Sequence, residues 1–199
     1  YLSIVQCSIF DEDKLRNLIS KAQIVINLVG VLNETNKTNS FKNIHTNFPY
    51  LVSKICNEYK INQFIHISAL GIEKAADSKY AQSKLNGEKI IRENFSKATI
   101  IKPSIIFSVD DVLTTRFMTL LSLLPIFPIY YGGKTKFAPI HASDVAEIIF
   151  QAISNEIFSK KIEAIGPEVL TFKEIIQILL KCIDKKRILI PIPLLIAKI

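Results

Sequence analysis

The stretch Tyr80-Ala81-Gln82-Ser83-Lys84 decides the fold, because it places a tyrosine and a lysine four positions apart within a predicted helix, 79–95. Residues with this spacing lie on one face of a helix. A free phenol titrates near ~10, too high for easy proton exchange at neutral pH, and an adjacent ammonium group lowers that pKa by favouring phenolate. The pair therefore predicts an acid/base site whose lysine also binds a ligand hydroxyl.

Two apolar strands flank this helix. The first, Phe64-Ile65-His66-Ile67-Ser68, ends in a hydroxyl-bearing residue, and the second, Ile100-Ile101-Lys102-Pro103-Ser104, ends in a proline and a serine. In isolation Tyr80 and Lys84 would be ordinary surface residues of a helix, and Ser68 would be an ordinary strand end. The order of strand-end hydroxyl, helical pair and proline-terminated strand favours a site over that alternative.

Strand-like and helix-like segments alternate along the chain. The pattern predicts strands at 2–9, 24–29, 63–68, 98–107 and 161–165, and helices at 11–21, 43–60, 79–95, 110–124, 143–154 and 172–183. Strand 24–29 is typical of a strand buried on both faces, 33–40 is a polar loop, and the residues before Gly132 form a proline-rich apolar loop. Ser143 and Thr171 are predicted N-caps. This alternation predicts an α/β fold, a parallel sheet with helices on both faces and a small C-terminal cap.

Composition limits the classes of function. The 199 residues carry a formal net charge of +7, but the lysines are dispersed among Asn and Ile, so nucleic-acid binding is not expected. The three cysteines and three histidines lack metal-ligand spacing, so no metal site is predicted, and His66 is expected to be a hydrogen-bonded strand residue. Two apolar stretches, 117–131 and 188–199, are shorter than the ~20 residues of a spanning helix. They predict packing segments, with a docking surface as the alternative.

The combined motifs resemble the extended and atypical short-chain dehydrogenase/reductase superfamily. Later segments that carry the resemblance are 103–111, 132–146 and 164–171, so it covers nearly the whole chain. It is strongest for the branch that holds the NADPH-binding accessory subunit of respiratory complex I and its bacterial homologues, with nucleotide-sugar epimerases as relatives. The resemblance implies a partial Rossmann-like dinucleotide-binding domain over 1–107. It implies the remaining sheet elements and a cap, not independently folded, over 108–199.

The resemblance also assigns roles to individual residues. Tyr80 would be the proton-transfer residue, Lys84 its partner and Ser68 the strand-end hydroxyl. Residues implied to contact an NADP or NAD cofactor are Val29, Gly30, Val31, Asn47, Tyr80, Lys84, Pro103 and Ser104. Many family enzymes place the catalytic hydroxyl one or two residues later, where this chain has Ala69 and Leu70. That departure favours a cofactor-holding subunit over a vigorous enzyme.

The glycine-rich phosphate-binding loop of the family does not occur in this sequence, whose six glycines form neither G-x-G-x-x-G nor G-x-x-G-x-x-G. Relatives carry that loop after their first strand, where amides at a helix end bind the pyrophosphate. We therefore expect an N-terminally truncated chain that binds NAD(H) or NADP(H) weakly or not at all. We also expect strand 24–29 to lack its neighbour and to become an exposed apolar edge.

Three functions remain open from the sequence. The first is an NAD(P)-binding accessory or assembly protein of respiratory complex I or quinone metabolism. It would be cytoplasmic or peripheral at the inner membrane face, with respiratory-complex or membrane-associated protein partners. The second is an active nucleotide-sugar epimerase, dehydratase or reductase that uses Tyr80 and Lys84. The third is a partner-binding remnant without a cofactor.

Overall fold

A computed structural model describes residues 2–75, 77–109 and 111–192. The strands are β1 (Ile24–Asn27), β2 (Gln63–Ile67), β3 (Thr99–Pro103), β4 (Ile106–Phe107), β5 (Ile126–Tyr130), β6 (Lys136–Phe137), β7 (Ile140–His141), β8 (Lys161–Ala164), β9 (Leu170–Thr171) and β10 (Ile188–Ile192). The α-helices are α1 (Glu12–Ile19), α2 (Phe48–Glu58), α3 (Lys79–Asn94), α4 (Val112–Leu123), α5 (Ala142–Ser154) and α6 (Phe172–Cys182). A π-helical turn, Asn43–Asn47, leads into α2, and short 3₁₀ turns occupy Ile72–Lys74 and Tyr131–Gly133.

The main sheet has the strand order β1-β2-β3-β8. Strand β2 pairs in parallel with β1 on one side and with β3 on the other. Helix α2 lies between β1 and β2 in the chain, and α3 lies between β2 and β3, as parallel neighbours require. The predicted α/β class with a Rossmann-like parallel sheet is confirmed.

The chain divides into two compact units. The first unit comprises Tyr1–Pro103 and Glu147–Glu163, and the second comprises Ser104–Ala146 and Ala164–Ile199. Each unit has its own apolar core, and the candidate site lies in the first.

The core of the first unit forms where α1, α2 and α3 contribute apolar side chains to one face of β2. Its buried members are Ile19, Phe48, Val52, Ile55, Cys56, Ile61, Phe64, Ile91, Phe95 and Ala98. Burial of a large apolar side chain contributes about 1.5–3 kcal/mol. These contacts fix α3 against the sheet, and the Ser78 side chain fixes where α3 begins by accepting the Ala81 N–H.

The N-terminal segment and β1 differ from expectation. Residues 2–9 form no strand, and Leu2 and Ile4 are 92% and 87% exposed. The prediction of a strand there was wrong, since in the described part of the chain β1 pairs with β2 alone and nothing pairs with 2–9. The expected burial of 24–29 on both faces was also wrong, because Ile24 and Ile26 are exposed. The expected exposed apolar edge is present.

The second unit contains a strand pair that the sequence pattern did not predict. Strand β5 occupies the supposed proline-rich loop and pairs in parallel with β10, which places Pro128 opposite Ile190. Proline is tolerated here because a two-stranded ribbon has only edge strands. Strand β5 and helices α4 and α6 supply most of the core of this unit, whose buried residues are Leu121, Phe127, Ile129, Ile176, Leu179 and Leu180.

Other helix and strand boundaries differ from the predicted ones by a few residues. The predicted strand 98–107 is divided into β3 and β4, and Ser143 lies inside α5 rather than capping it. Thr171 and Glu174 form the predicted capping box of α6. The apolar stretch 188–199 begins with β10, and its last seven residues lie outside the described part. Among the residues that the structure describes, no helix combines the length and apolar character needed to cross a membrane.

Candidate functional site

Helix α3 presents Tyr80, Lys84 and Glu88 at successive four-residue intervals, so the three side chains share one face. Lys84 Nζ donates a 3.3 Å hydrogen bond to Ile67 O, at the carboxyl end of β2. The same ammonium lies against Gly30, just after β1, where an added Cβ would be 3.3 Å from Nζ. Lys84 therefore reaches the carboxyl ends of both strands, as its spacing predicts.

Lys84 is a buried cation, and few neighbouring groups stabilise its charge. Its side chain is 5% exposed, and burial lowers its pKa to about 8, although the charge of Glu88 acts in the opposite direction. Among described residues its one hydrogen-bond acceptor is the carbonyl of Ile67. The ammonium form still predominates at neutral pH, with donors left for a further partner.

Tyr80 is half-buried and sits in an aromatic cluster. Its ring is edge-on to Phe41, with centroids 5.7 Å apart, and to His45, with centroids 5.2 Å apart. Burial raises the pKa of Tyr80, so the expected lowering by Lys84 was wrong. Loss of hydration disfavours the phenolate, and it is the cause of the shift. Tyr80 Oη makes no hydrogen bond within the described ranges, so the hydroxyl can bond to a ligand or to water.

His45, which the sequence pattern did not predict as a site residue, lies beside both Tyr80 and Lys84. Its Nε2 accepts a 3.1 Å hydrogen bond from the Val31 N–H, so the ring proton is on Nδ1 and is donated to Ser83 Oγ at 2.9 Å. The Ser83 hydroxyl donates in turn to Tyr80 O at 2.7 Å. Burial first, and the charge of Lys84 second, lower the pKa of His45 to about 4, so the ring is neutral.

Ser68 faces a different partner from the one expected of a catalytic hydroxyl. The Ser68 hydroxyl donates a 2.5 Å hydrogen bond to Glu88 Oε1. Glu88 also pairs with Lys102 at 3.1 Å and with Lys161 at 3.3 Å, and Lys102 pairs with Glu73 as well. We call these five residues the Glu88 cluster. Because the Ser68 hydroxyl donates its hydrogen bond to Glu88, this hydroxyl is not directed at Tyr80.

Comparisons with known proteins agree with this arrangement of strands and helices. No family model matches the chain. It is 28% identical over 191 residues to the Arabidopsis thaliana protein "NADH dehydrogenase [ubiquinone] 1 alpha subcomplex subunit 9, mitochondrial", covering 94% of this chain and 47% of that protein. It is 30% identical over 179 residues to the Dictyostelium discoideum protein of the same name, covering 88% and 49%. The chain thus spans about half the length of the curated relatives it matches.

Solved structures show the same fold. UDP-glucuronic acid 4-epimerase from Bacillus cereus, in complex with UDP-glucuronic acid and NAD, matches with a TM-score of 0.79 at 19% identity, over 95% of this chain and 68% of that one. The dTDP-glucose 4,6-dehydratase DesIV from Streptomyces venezuelae matches with a TM-score of 0.79 at 14% identity, over 95% and 66%. The chain therefore has the fold of these two enzymes, and its sequence is similar to proteins named as subunits of NADH dehydrogenase.

The structure brings part of the predicted residue set together. Gly30 and Val31, which follow β1, lie against Lys84 and His45, and the Tyr80 ring packs at a right angle to His45. The Val29 N–H donates to Asn27 Oδ1 at 3.0 Å, which fixes the start of that turn.

The remaining predicted residues lie elsewhere. Asn47 is exposed, its amide donates to Asn43 Oδ1 at 2.8 Å, and it lines a shallow pocket of about 380 Å³ away from Tyr80. Pro103 O accepts the Leu70 N–H at 2.9 Å. Ser104 belongs to the second unit, where its hydroxyl accepts the Ala138 N–H at 3.2 Å. Cofactor contacts by Asn47, Pro103 and Ser104 stay predictions.

His66 is a buried strand residue, as expected, but only one of its two ring nitrogens has a hydrogen-bond partner among described residues. The Asn27 amide donates to its Nδ1 at 3.1 Å, and its Nε2 has no hydrogen-bond partner in the described part of the chain. Burial lowers the pKa of His66 to about 3, so the ring is neutral. In the described residues no group of three or more His, Cys, Asp or Glu side chains is arranged to hold a metal ion.

Proposed function

We propose that this protein holds a nicotinamide dinucleotide and serves as an accessory or assembly factor, in respiratory complex I or in quinone metabolism. The observation that carries the proposal is the position of the Lys84 ammonium. It lies against Gly30 at the carboxyl edge of the sheet, with one backbone acceptor, Ile67 O. In parallel α/β sheets, ligands bind outside the carboxyl ends of the strands.

The residues around Lys84 fit the ribose and nicotinamide end of such a cofactor. An ammonium carries three donors and Lys84 uses one, so two remain for ribose hydroxyls. Tyr80 Oη would bond near the same end, and Gly30 leaves room for close approach, since a side chain there would meet Lys84 Nζ. When bound, the dinucleotide would supply hydride chemistry, while these residues bind and orient it.

The fit at the pyrophosphate end is poor, because no glycine-rich loop occurs in the 199 residues. We therefore expect this chain to bind NAD(H) or NADP(H) weakly. Affinity should rise when the glycine-rich strand, loop and helix of an NAD-binding relative are joined upstream.

An accessory role is favoured over vigorous turnover by the surroundings of Ser68 and Tyr80. The Ser68 hydroxyl is bonded to Glu88, and the two residues that follow it, Ala69 and Leu70, carry no hydroxyl. Burial raises the pKa of Tyr80, which opposes formation of the phenolate. The curated relatives, which are named as subunits of NADH dehydrogenase, support the same role.

Protein partners are part of this proposal. The second unit exposes apolar side chains on its β5 and β10 ribbon, including Ile126, Tyr130, Ile188 and Ile190. Contiguous exposed apolar side chains favour an interaction surface. We propose a respiratory-complex or membrane-associated protein as the partner, with the chain cytoplasmic or peripheral at the inner membrane face.

Titration of NADH and NADPH, followed by nicotinamide fluorescence, tests the cofactor proposal. Lys84→Met should weaken binding by at least about tenfold, because it removes a charge-assisted hydrogen bond. Lys89→Met is the matched control, since Lys89 lies on the same helix with its side chain 76% exposed. Equal affinity of the Lys84 and Lys89 variants would reject the proposed ribose contact.

An active enzyme is the second candidate, and the unbonded Tyr80 hydroxyl, one helical turn from the buried Lys84, favours it. Turnover of nucleotide sugars or simple carbonyl compounds that collapses in Tyr80→Phe would establish that reading. A partner-binding remnant is the third candidate. It is favoured if neither the chain nor its glycine-loop fusion binds a dinucleotide.

A further inference from the structure

His45 lies in the π-helical turn Asn43–Asn47, where the Phe48 N–H bonds to Asn43 O, five residues back. Such turns are rare and occur often at functional sites. Ile44, His45 and Phe48 are all buried there, whereas Asn47 is exposed. The turn thus holds a polar imidazole, 1% exposed, between α3 and the turn after β1.

Both ring nitrogens of His45 are bonded to groups on other elements. Nε2 accepts from Val31, in the turn after β1, and Nδ1–H donates to Ser83, in α3. A buried histidine needs hydrogen-bond partners for its two ring nitrogens, but in general those partners need not be adjacent to ligand-binding residues. Here Val31 follows Gly30, and Ser83 lies between Tyr80 and Lys84 and bonds to the Tyr80 carbonyl.

The rings and the backbone reinforce this placement. The Phe41 ring stacks on His45 with centroids 5.5 Å apart, while Tyr80 meets its edge. Helix α3 packs directly on the π-helical turn at Gly87, where an added Cβ would be 2.0 Å from His45 O. A Cβ at Gly30 would meet His45 Nε2 at 3.8 Å as well as Lys84 Nζ at 3.3 Å.

We propose that His45 is a positioning residue, whose imidazole holds the Gly30–Val31 turn and the Tyr80–Lys84 turn of α3 in one arrangement. This inference rests on the proposed dinucleotide-binding function. The two groups of cofactor-facing residues are distant in sequence, and the neutral ring joins them through a hydrogen bond on each side. The charged or titratable groups that face it are Tyr80 and Lys84 from α3 and His66 from β2.

The test compares two substitutions at His45 in the 199-residue chain. His45→Phe keeps a ring and removes both nitrogens, whereas His45→Gln keeps an acceptor for Val31 and a donor for Ser83. The matched control is His141→Phe in the second unit. His141 also bonds a serine through Nδ1, with 2.7 Å to Ser143 Oγ, and packs on Phe107.

Three measurements apply to each variant: Val31 amide hydrogen exchange, the NMR titration of the Tyr80 phenol, and the affinity for NADH. His45→Phe should speed Val31 exchange about tenfold, shift the Tyr80 titration and weaken NADH binding about tenfold, as loss of a hydrogen bond predicts. His45→Gln should restore most of each change, and His141→Phe should alter none. Unchanged Val31 exchange in His45→Phe, or no rescue by the folded Gln variant, would overturn the proposal.

These measurements separate a failure of the proposed cofactor binding from a failure of the proposed role of His45. If the wild-type chain binds no NADH, the cofactor proposal fails, while Val31 exchange and the Tyr80 titration still decide the role of His45. If His45→Phe does not fold, Ser83→Ala replaces it, because it removes the Nδ1 partner and leaves the ring. A shifted Tyr80 titration in Ser83→Ala supports the proposal, and an unshifted one rejects it.

Discussion

Two buried lysines in the first unit, Lys84 and Lys102, have opposite electrostatic surroundings. Their exposed fractions are similar, at 5% and 3%. Burial lowers the pKa of Lys84 to about 8, and Ile67 O is its acceptor among described residues. Burial also acts to lower the pKa of Lys102, but the hydrogen bonds that Lys102 donates to Glu73 and Glu88 exceed that effect and raise it. Lys102 is therefore a structural cation, whereas Lys84 retains capacity for a ligand.

The same substitution at both positions should give the largest difference. Lys102→Met leaves the buried Glu88 carboxylate short of a partner and should lower the free energy of unfolding by about 3 kcal/mol. Lys84→Met removes a poorly compensated buried charge and should change stability by less than about 1 kcal/mol. Urea denaturation of both variants measures this. Equal losses would show that the two lysines have the same role.

The contributions of Lys84 and Lys102 to stability should also depend on pH in opposite directions. Between about 8, the pKa of Lys84 in the folded protein, and the ordinary lysine pKa of 10.5, the unfolded state binds more protons than the folded state. Stability from this group therefore rises with pH in that window, by about 3 kcal/mol. The raised pKa of Lys102 acts oppositely, and its contribution is lost as pH rises through the folded pKa.

Denaturation of the wild type and of Lys84→Met at pH 7.5 and pH 10 checks this sign. The wild type should gain stability relative to the variant at the higher pH. A constant difference between the two proteins would mean that the Lys84 pKa is not lowered in the folded state.

Ser68→Ala should show whether Ser68 acts in the Glu88 cluster or in the binding site. Loss of the hydroxyl that donates to Glu88 should cost about 1.5 kcal/mol of stability, because the acceptor is charged. Dinucleotide affinity should stay unchanged, since Ser68 bonds within the cluster. Unchanged stability together with weakened binding would instead place Ser68 at the ligand.

Gly30→Ala should have the smallest effect on stability. The new Cβ would lie 3.3 Å from Lys84 Nζ, at the flexible end of that side chain, so the lysine can yield at a cost below about 1 kcal/mol. NADH affinity should fall about threefold because the ammonium is displaced. A loss of stability as large as that of Lys102→Met would show that the Gly30 turn is rigid.

The strands and helix around Tyr80 were predictable because their signals are local. Strands β2 and β3 and helix α3 lie within a few residues of the predicted 63–68, 98–107 and 79–95. Their apolar runs and the spacing of Tyr80 and Lys84 depend on neighbours along the chain. The four-residue step from Lys84 to Glu88 was also visible, but its partners Ser68 and Lys102 come from two separate strands.

The missed features depend on contacts between distant residues. Strand β5 pairs with β10, about sixty positions later, and its prolines suggested a loop. Residues 2–9 have strand-like composition, but no described strand pairs with them. The role of His45 arises from a π-helical turn and from partners in two other elements. Hydrophobic periodicity carries none of this information.

The close packing at Gly87 has a consequence for how the sequence can vary. An added Cβ would be 2.0 Å from His45 O, so almost any other residue there forces α3 away from the π-helical turn. Tyr80 and Lys84 lie on that helix and would move with it. In a saturation mutagenesis scan of α3, Gly87 should therefore tolerate the fewest substitutions, although it carries no reactive side chain. Functional divergence at Tyr80 or Lys84 can proceed one residue at a time, but the spacing set by Gly87 has to be retained throughout.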